Sequence, residues 1–202
     1  MTHIIVFARA PVPGFCKTRL IPKYGARGAA QLHRRLVRGT LATVCAMKSA
    51  RVELWCEPDT GHGFFLALRR QFGFVLRAQP AGDLGRKMAL ALTRTLARGE
   101  NKVLLVGTDC AALRTADLRT ASAALDHSDA VLQPSEDGGY VLIGAKCFAT
   151  SALRGVRWSS GDELRQTCAR LANRGISCAL MPELWDVDFP RDVRRARLLG
   201  LL

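Results

Sequence analysis

The chain has 202 residues, 49% of them hydrophobic, which suffices for one well-formed core and is too short for two comfortable domains, so a single domain over residues 1–202 is expected. No apolar run approaches the ~18 residues of a membrane helix, and Met1 and Thr2 lead into a strand-like run without a signal-peptide pattern, so the expected setting is cytoplasmic with no membrane partner. The formal net charge of +13 raises nucleic acid as a partner, yet the arginines stand singly or in pairs along helical stretches ("HRRLVR", "LRRQF", "VRRARL"); solvated basic faces come first, an anionic small substrate second, and no nucleic-acid partner is expected.

Apolar runs and helical patterns alternate along the chain. "HIIVFA" reads as a strand, and "ARGAAQLHRRLVRGTLATVCAM" as a helix with Leu32, Leu36 and Val44 at helical spacing. "RVELWC" is a second strand, "GFFLALRRQFG" a helix ended by Gly73, and "FVLRA" a third strand. "GRKMALALTRTLARG" is a helix stopped by Gly99, "KVLLVG" a strand, and "TADLRTASAAL" a helix with Thr115 in the cap position. "DAVLQP" and "YVLIGA" are strands joined by too few residues for a helical crossover, so an antiparallel or irregular pairing is expected there. "SGDELRQTCARLANRG" opens on a capping box from Ser160 to Glu163, "ISCALM" is the last strand, and Pro190 starts a final helix. Strands this apolar have no wet face. The expected fold class is α/β: an open, mostly parallel sheet in three layers, with helices on both faces. The seven cysteines contain no CxxC pair and read as free thiols, and the four dispersed histidines offer no zinc site.

Ligands of such sheets bind beyond the carboxyl ends of the strands, so residues just after apolar runs carry the interest. "ARAPVPGFCKTRL" (8–20) lacks the GxxxxGK[ST] of a Walker loop. It is a proline-stiffened turn with Gly14, then Lys17 and Arg19, two cations able to grip adjacent phosphates; a basic surface loop is the equal alternative. In "VLLVGTDCAAL", Asp109 falls just beyond a buried strand, and in "LWDVDFPRD" Asp186 and Asp188 do the same. Carboxylates at two strand ends suit a hard cation, Mg2+ or else Mn2+, completed by phosphate oxygens; the alternative is that each caps a helix. "SEDGGYVLIG" sets Glu136 and Asp137 beside Gly138 and Gly139, a hairpin turn or a loop that receives an acceptor. "QPAGDLGRKM" places two glycines before a helix, a weak base- or phosphate-adjacent signal.

Together and in this order these stretches resemble the radical-SAM/selenodomain-associated "transferase 1" group, which has the glycosyltransferase-A, or nucleotide-diphospho-sugar transferase, fold. The likeness spans roughly residues 4–193. More distantly the chain is similar to phospholactate and molybdenum-cofactor guanylyltransferases. It departs from the group pattern at Arg9, Ala111, Gln133, Val141 and Phe189, where lysine, proline, glycine, tyrosine and threonine are usual. The resemblance implies a nucleotide site of Ala10, Pro11, Gly14, Lys17, Arg19, Gly82, Asp83, Gly85 and Thr108. It implies an acceptor site of Glu136, Asp137, Gly138, Gly139, Tyr140, Trp158 and Ser159. Lys17, Arg19, Asp109 and Asp137 would be catalytic, with the metal on Asp109 and Asp188 and Asp186 as a third candidate. The leading expectation is Mg2+-dependent nucleotidyl transfer with release of pyrophosphate. The rival is glycosyl transfer from a nucleotide-diphospho-sugar. A basic nucleic-acid-binding protein is the remote third.

Overall fold

The computed structural model describes all of residues 1–202. In chain order the elements are β1 (Thr2–Arg9), α1 (Ile21–Cys45), β2 (Ala50–Glu57), α2 (Gly63–Phe72), β3 (Val75–Ala78), α3 (Leu84–Leu96) and β4 (Lys102–Val106). There follow α4 (Thr115–His127), β5 (Ala130–Pro134), β6 (Tyr140–Ala145), α5 (Glu163–Ala172), β7 (Cys178–Leu180) and α6 (Pro190–Leu198). A short 3-10 turn, Thr18–Leu20, leads into α1. The strands form one sheet in the order β3-β2-β1-β4-β6-β5-β7. Only β6 runs against its neighbours, β4 and β5, and the expected irregular pairing sits there, with a register shift at Gln133 and Pro134.

Alternation along β1 divides the core. Ile4, Val6 and Ala8 pack with Val37, Leu41 and Val44 of α1, Phe64 and Phe65 of α2, and Leu118 and Leu125 of α4. Ile5 and Phe7 face the other way, onto Met88 and Leu92 of α3 and Leu171 of α5. One residue of displacement thus changes the layer, because successive strand side chains point to opposite faces. A third cluster joins Leu20, Leu32 and Leu36 to Trp185, Val187, Val193 and Ala196, and so anchors α6 and the segment before it against α1. No helix is long and apolar enough to cross a membrane.

Three local expectations change. The first long helix starts at Ile21, earlier than its apolar spacing suggests, and breaks at Gly25, where φ is +66°. Thr115 does not cap α4: the Asp117 carboxylate accepts from the Arg114 N–H at 2.8 Å, and the Thr115 hydroxyl donates to the Thr43 carbonyl on α1. The capping box at α5 is half made. Glu163 accepts from the Ser160 N–H at 2.7 Å, but the Ser160 hydroxyl turns back to the Arg157 carbonyl and the helix begins at Glu163.

Candidate active site

The carboxyl ends of β1 and β4 share one edge of the sheet. Because β6 is antiparallel, its beginning at Tyr140 lies on that same edge. The segment after β7 is sewn to this edge by backbone bonds, Leu184 N–H to Pro134 O, Glu136 N–H to Leu184 O and Val187 N–H to Asp109 O, each at 2.9 Å. A cavity of about 640 Å3 opens there. Lys17, Arg19, Thr108, Asp109, Asp137, Tyr140, Ser159, Asp186 and Asp188 all line it. The basic loop and the strand-end acids therefore meet in one place.

Lys17 is the centre of the charge cluster. Its Nζ lies 2.9 Å from Asp109 Oδ1 and 2.9 Å from Asp188 Oδ1, with its side chain only 6% exposed, while Arg19 reaches the other Asp188 oxygen at 3.1 Å. Burial alone would push the ammonium down; the charges of Asp109 and Asp188 outweigh it and hold Lys17 above the usual lysine value. Burial would likewise raise Asp109, and Lys17 outweighs it, so that carboxyl sits below its usual range. Asp186 goes the other way. Half-buried and facing the Asp109 charge, it is pushed up to about 7 by desolvation and that charge, even though the Ser135 hydroxyl donates to it at 3.0 Å.

Neither metal-ligand candidate is a helix cap. The N-terminus of α4 is served by Asp117, and at α6 Asp192 accepts from the Asp188 and Phe189 N–H groups, which leaves the Asp188 carboxylate for the cavity. Two non-glycine residues in the chain have positive φ, Lys17 (+47°) and Ser159 (+60°), and both line this cavity. Backbone strain of this kind persists where surrounding structure holds it, and it clusters at functional sites.

The other expected residues lie around the cavity and do not line it. Ala10 is buried, with its N–H on the Glu57 carbonyl, while Pro11 and Gly14 belong to the turn outside the lining. Asp83 caps α3 by accepting from the Arg86 N–H at 2.8 Å, and Gly82 (φ +120°) packs over the Arg86 side chain. Gly85 permits Trp158 to lie against α3, since a Cβ there would be 2.9 Å from the indole. Trp158 in turn meets Tyr140 edge-on, with centroids 6.2 Å apart. Glu136 forks onto Arg195 at 2.8 and 2.9 Å, away from the lining. A Cβ on Gly138 would overlap the Gly161 carbonyl, and the Gly139 N–H donates to Asp137 Oδ1 at 3.0 Å. These glycines and Trp158 thus fasten the three loops to each other, and Asp137 and Ser159 are what they present.

Sequence reasoning missed His33, Glu57 and Gln79, which also line the cavity. His33 sits on the buried face of α1, four residues from Ala29 and from Val37, a spacing legible in the sequence. Its Nε2 meets the Arg9 carbonyl at 2.9 Å, its Nδ1 has no partner, and burial holds its pKa below the usual value. Glu57 binds Lys87 at 3.1 Å and Arg9 at 3.2 Å. Gln79 donates to the Trp55 carbonyl at 3.0 Å. No signal short of the fold marks these two.

Residues 40–160 match the family described as an uncharacterized protein conserved in bacteria, DUF2064. The chain belongs to the DUF2064 family. The matched stretch holds the Asp109, Asp137 and Trp158 motifs, while Lys17 and Asp188 fall on either side of it. No curated protein matches the sequence. Solved structures resemble this DUF2064 member along nearly its whole length. A protein of Desulfovibrio desulfuricans G20, provisionally termed a nucleotide-diphospho-sugar transferase, is 28% identical with a TM-score of 0.86, over 95% of this chain and 84% of that one. CMP:2-keto-3-deoxy-manno-octonic acid synthetase, complexed with CTP, is 10% identical with a TM-score of 0.61 over 98% of both chains. The 4-diphosphocytidyl-2C-methyl-D-erythritol synthase of Anaerococcus prevotii DSM 20548 is 11% identical with a TM-score of 0.64, over 100% of this chain and 99% of that one. The fold is that of the nucleotide-diphospho-sugar transferases, as the motifs implied.

Proposed function

We propose that this DUF2064 member is a cytoplasmic, metal-dependent transferase that transfers a nucleotidyl group from a nucleoside triphosphate to a small phosphorylated or hydroxylated acceptor, releasing pyrophosphate. One observation carries the reading. On a chain of net charge +13, the cavity is lined by six acidic side chains (Glu57, Asp109, Asp137, Glu163, Asp186, Asp188) against three basic ones (Arg9, Lys17, Arg19). Such a cavity repels a polyphosphate unless a divalent cation comes with it.

The donor set fits that cation. Asp109 and Asp188 are hard oxygen donors that already hold one positive charge, the Lys17 ammonium, between them. No group of three His, Cys, Asp or Glu side chains is gathered to enclose an ion, so phosphate oxygens and water would complete the coordination of Mg2+ or Mn2+. A bound divalent ion would supply charge neutralisation on the phosphates as the pentavalent transition state forms. Lys17 and Arg19 would bind the β- and γ-phosphates, with Asp109 and Asp188 as metal ligands. Asp137, oriented by the Gly139 N–H, would face the acceptor together with Tyr140 and Ser159. Catalysis by these groups is positioning and electrostatic stabilisation, with no covalent intermediate.

Support comes from the motif resemblance to the transferase 1 group and the guanylyltransferases, and from neighbours whose names are those of nucleotide-dependent transferases. The Desulfovibrio protein's name favours a second reading, glycosyl transfer from a nucleotide-diphospho-sugar, in which Lys17 and Arg19 hold the departing diphosphate and Asp137 takes the acceptor proton.

A melting panel of four nucleoside triphosphates and common nucleotide-sugars, each with Mg2+ and with EDTA, separates these readings. A ligand at ~100 times its Kd adds about 2.7 kcal/mol, or about 5–10 °C for a chain of this size. Stabilisation by one triphosphate that is lost in EDTA is the expected result. A response to nucleotide-sugars alone turns the assignment to glycosyl transfer, and no response to either class rejects the proposal.

A further inference from the structure

We propose that Lys17 is a resident substitute for the metal: in the unliganded protein its ammonium bridges Asp109 and Asp188, so a divalent cation gains those oxygens only when a polyphosphate draws Lys17 off them. The inference rests on the metal–nucleotide reading above.

The geometry leaves little freedom. The ammonium is equidistant, at 2.9 Å, from one oxygen of each carboxylate, and its side chain is almost wholly enclosed. The backbones that carry those carboxylates are joined at Val187 N–H to Asp109 O, so the two segments stay side by side when the lysine leaves. The remaining Asp188 oxygen is held by Arg19. Mg2+ takes its oxygens at about 2.0–2.1 Å, and on this pair of oxygens it would lie beside the ammonium, whose like charge repels it, so metal binding there competes with Lys17. If the lysine were displaced without a new partner, a largely buried charge would be stranded, a strongly destabilising arrangement.

A polyphosphate changes this balance, because its oxygens give Nζ a second anion inside the same cavity. The backbone of Lys17 stays in place, held by the turn with Pro11 and Pro13 and by its own left-handed conformation (φ 47°, ψ 46°), while the flexible four-carbon stem lets Nζ swing from the carboxylates to a phosphate. Divalent cation and polyphosphate then strengthen each other's binding by the same factor, as linkage requires, within the ~5–150-fold usual for coupled sites.

The first test measures Mn2+ binding to nucleotide-free protein by electron paramagnetic resonance of the free ion, in wild type, Lys17→Met and Lys17→Gln. Circular dichroism and melting check each fold. Removing the bridging ammonium is expected to tighten Mn2+ binding at least about tenfold. The second uses wild type alone: the 15N signal of the Lys17 ammonium is followed during addition of Mg2+, of inorganic pyrophosphate, and of both. The signal should ignore Mg2+ alone and shift with Mg2+ plus pyrophosphate. Wild type binding Mn2+ as tightly as the folded variants, or a Lys17 signal displaced by Mg2+ alone, overturns the substitute role and leaves the metal–nucleotide site standing. If Mg2+ with pyrophosphate neither moves the signal nor raises the melting point, the metal–nucleotide reading itself fails, and this inference with it.

Discussion

Replacing Gly138 by alanine tests how the acceptor loop is held. Gly138 has φ +86°, and an added Cβ would overlap the backbone carbonyl of Gly161, which no side-chain rotation relieves. Gly99 supplies a matched control: its φ is +87°, and a Cβ there meets nothing within 4 Å. An L-residue in the left-handed region costs about 1–2 kcal/mol, which is the whole expected effect of Gly99→Ala. Gly138→Ala adds an overpacking term of about 1–3 kcal/mol, for a total of about 2–5 kcal/mol. At ~2–4 °C per kcal/mol for this length, the expected Tm losses are about 2–8 °C for Gly99→Ala and about 4–20 °C for Gly138→Ala. Leu164 N–H donates to the Gly138 carbonyl, so the strain should also reach α5 and loosen amide exchange there. Thermal unfolding by circular dichroism reads both variants side by side. If their Tm values agree within about 2 °C, the loop is not clamped against Gly161 and the packing account of this motif is wrong.

Asp109→Asn should keep the fold and abolish nucleotide stabilisation in Mg2+; undiminished stabilisation at saturating Mg2+ would remove Asp109 from the metal assignment. Asp186 gives a pH signature in metal-free protein. Its folded pKa, about 7, lies above its ordinary 3.8, so the favourable contribution of the protonated form is complete below about pH 4 and is lost as pH rises through 7. Asp186→Asn should therefore gain stability relative to wild type over that window, and a flat difference between the two melting-versus-pH curves contradicts it. Asp83→Ala should lower stability by about 1 kcal/mol through the lost cap of α3 while leaving nucleotide affinity unchanged. An affinity loss measured well below the melting range would return Asp83 to the nucleotide site. Arg195→Ala removes an exposed fork to Glu136 and a guanidinium 4.3 Å above the Trp185 ring. The expected loss is small, because both groups are exposed to solvent, and a clear drop in the chemical-denaturation midpoint would mean this pair does more than cover a surface.

What acts over a few residues was legible in the sequence. Apolar runs and helical spacing marked all seven strands and the helices between them, and the short link between "DAVLQP" and "YVLIGA" already pointed to an antiparallel or irregular pairing there, which β6 makes. Acids placed just past apolar runs marked Asp109, Asp186 and Asp188, because the end of a buried strand is where the chain meets the ligand edge. Caps were less legible. Asp83, Asp117 and Asp192 serve helix ends, whereas Asp188 does not, since the cap depends on the backbone angles at each turn and several nearby residues compete for it. The Lys17 bridge was beyond reach altogether. Lys17 and Asp188 are 171 residues apart, and their contact exists only because strand order brings β1 beside β4 while the bond from Val187 to Asp109 carries the last acidic segment alongside. Spacing and composition act locally and determined which residues bear charge at the sheet edge. Which of those charges neutralise one another was decided by sheet order and by long-range backbone bonds, which no local pattern encodes.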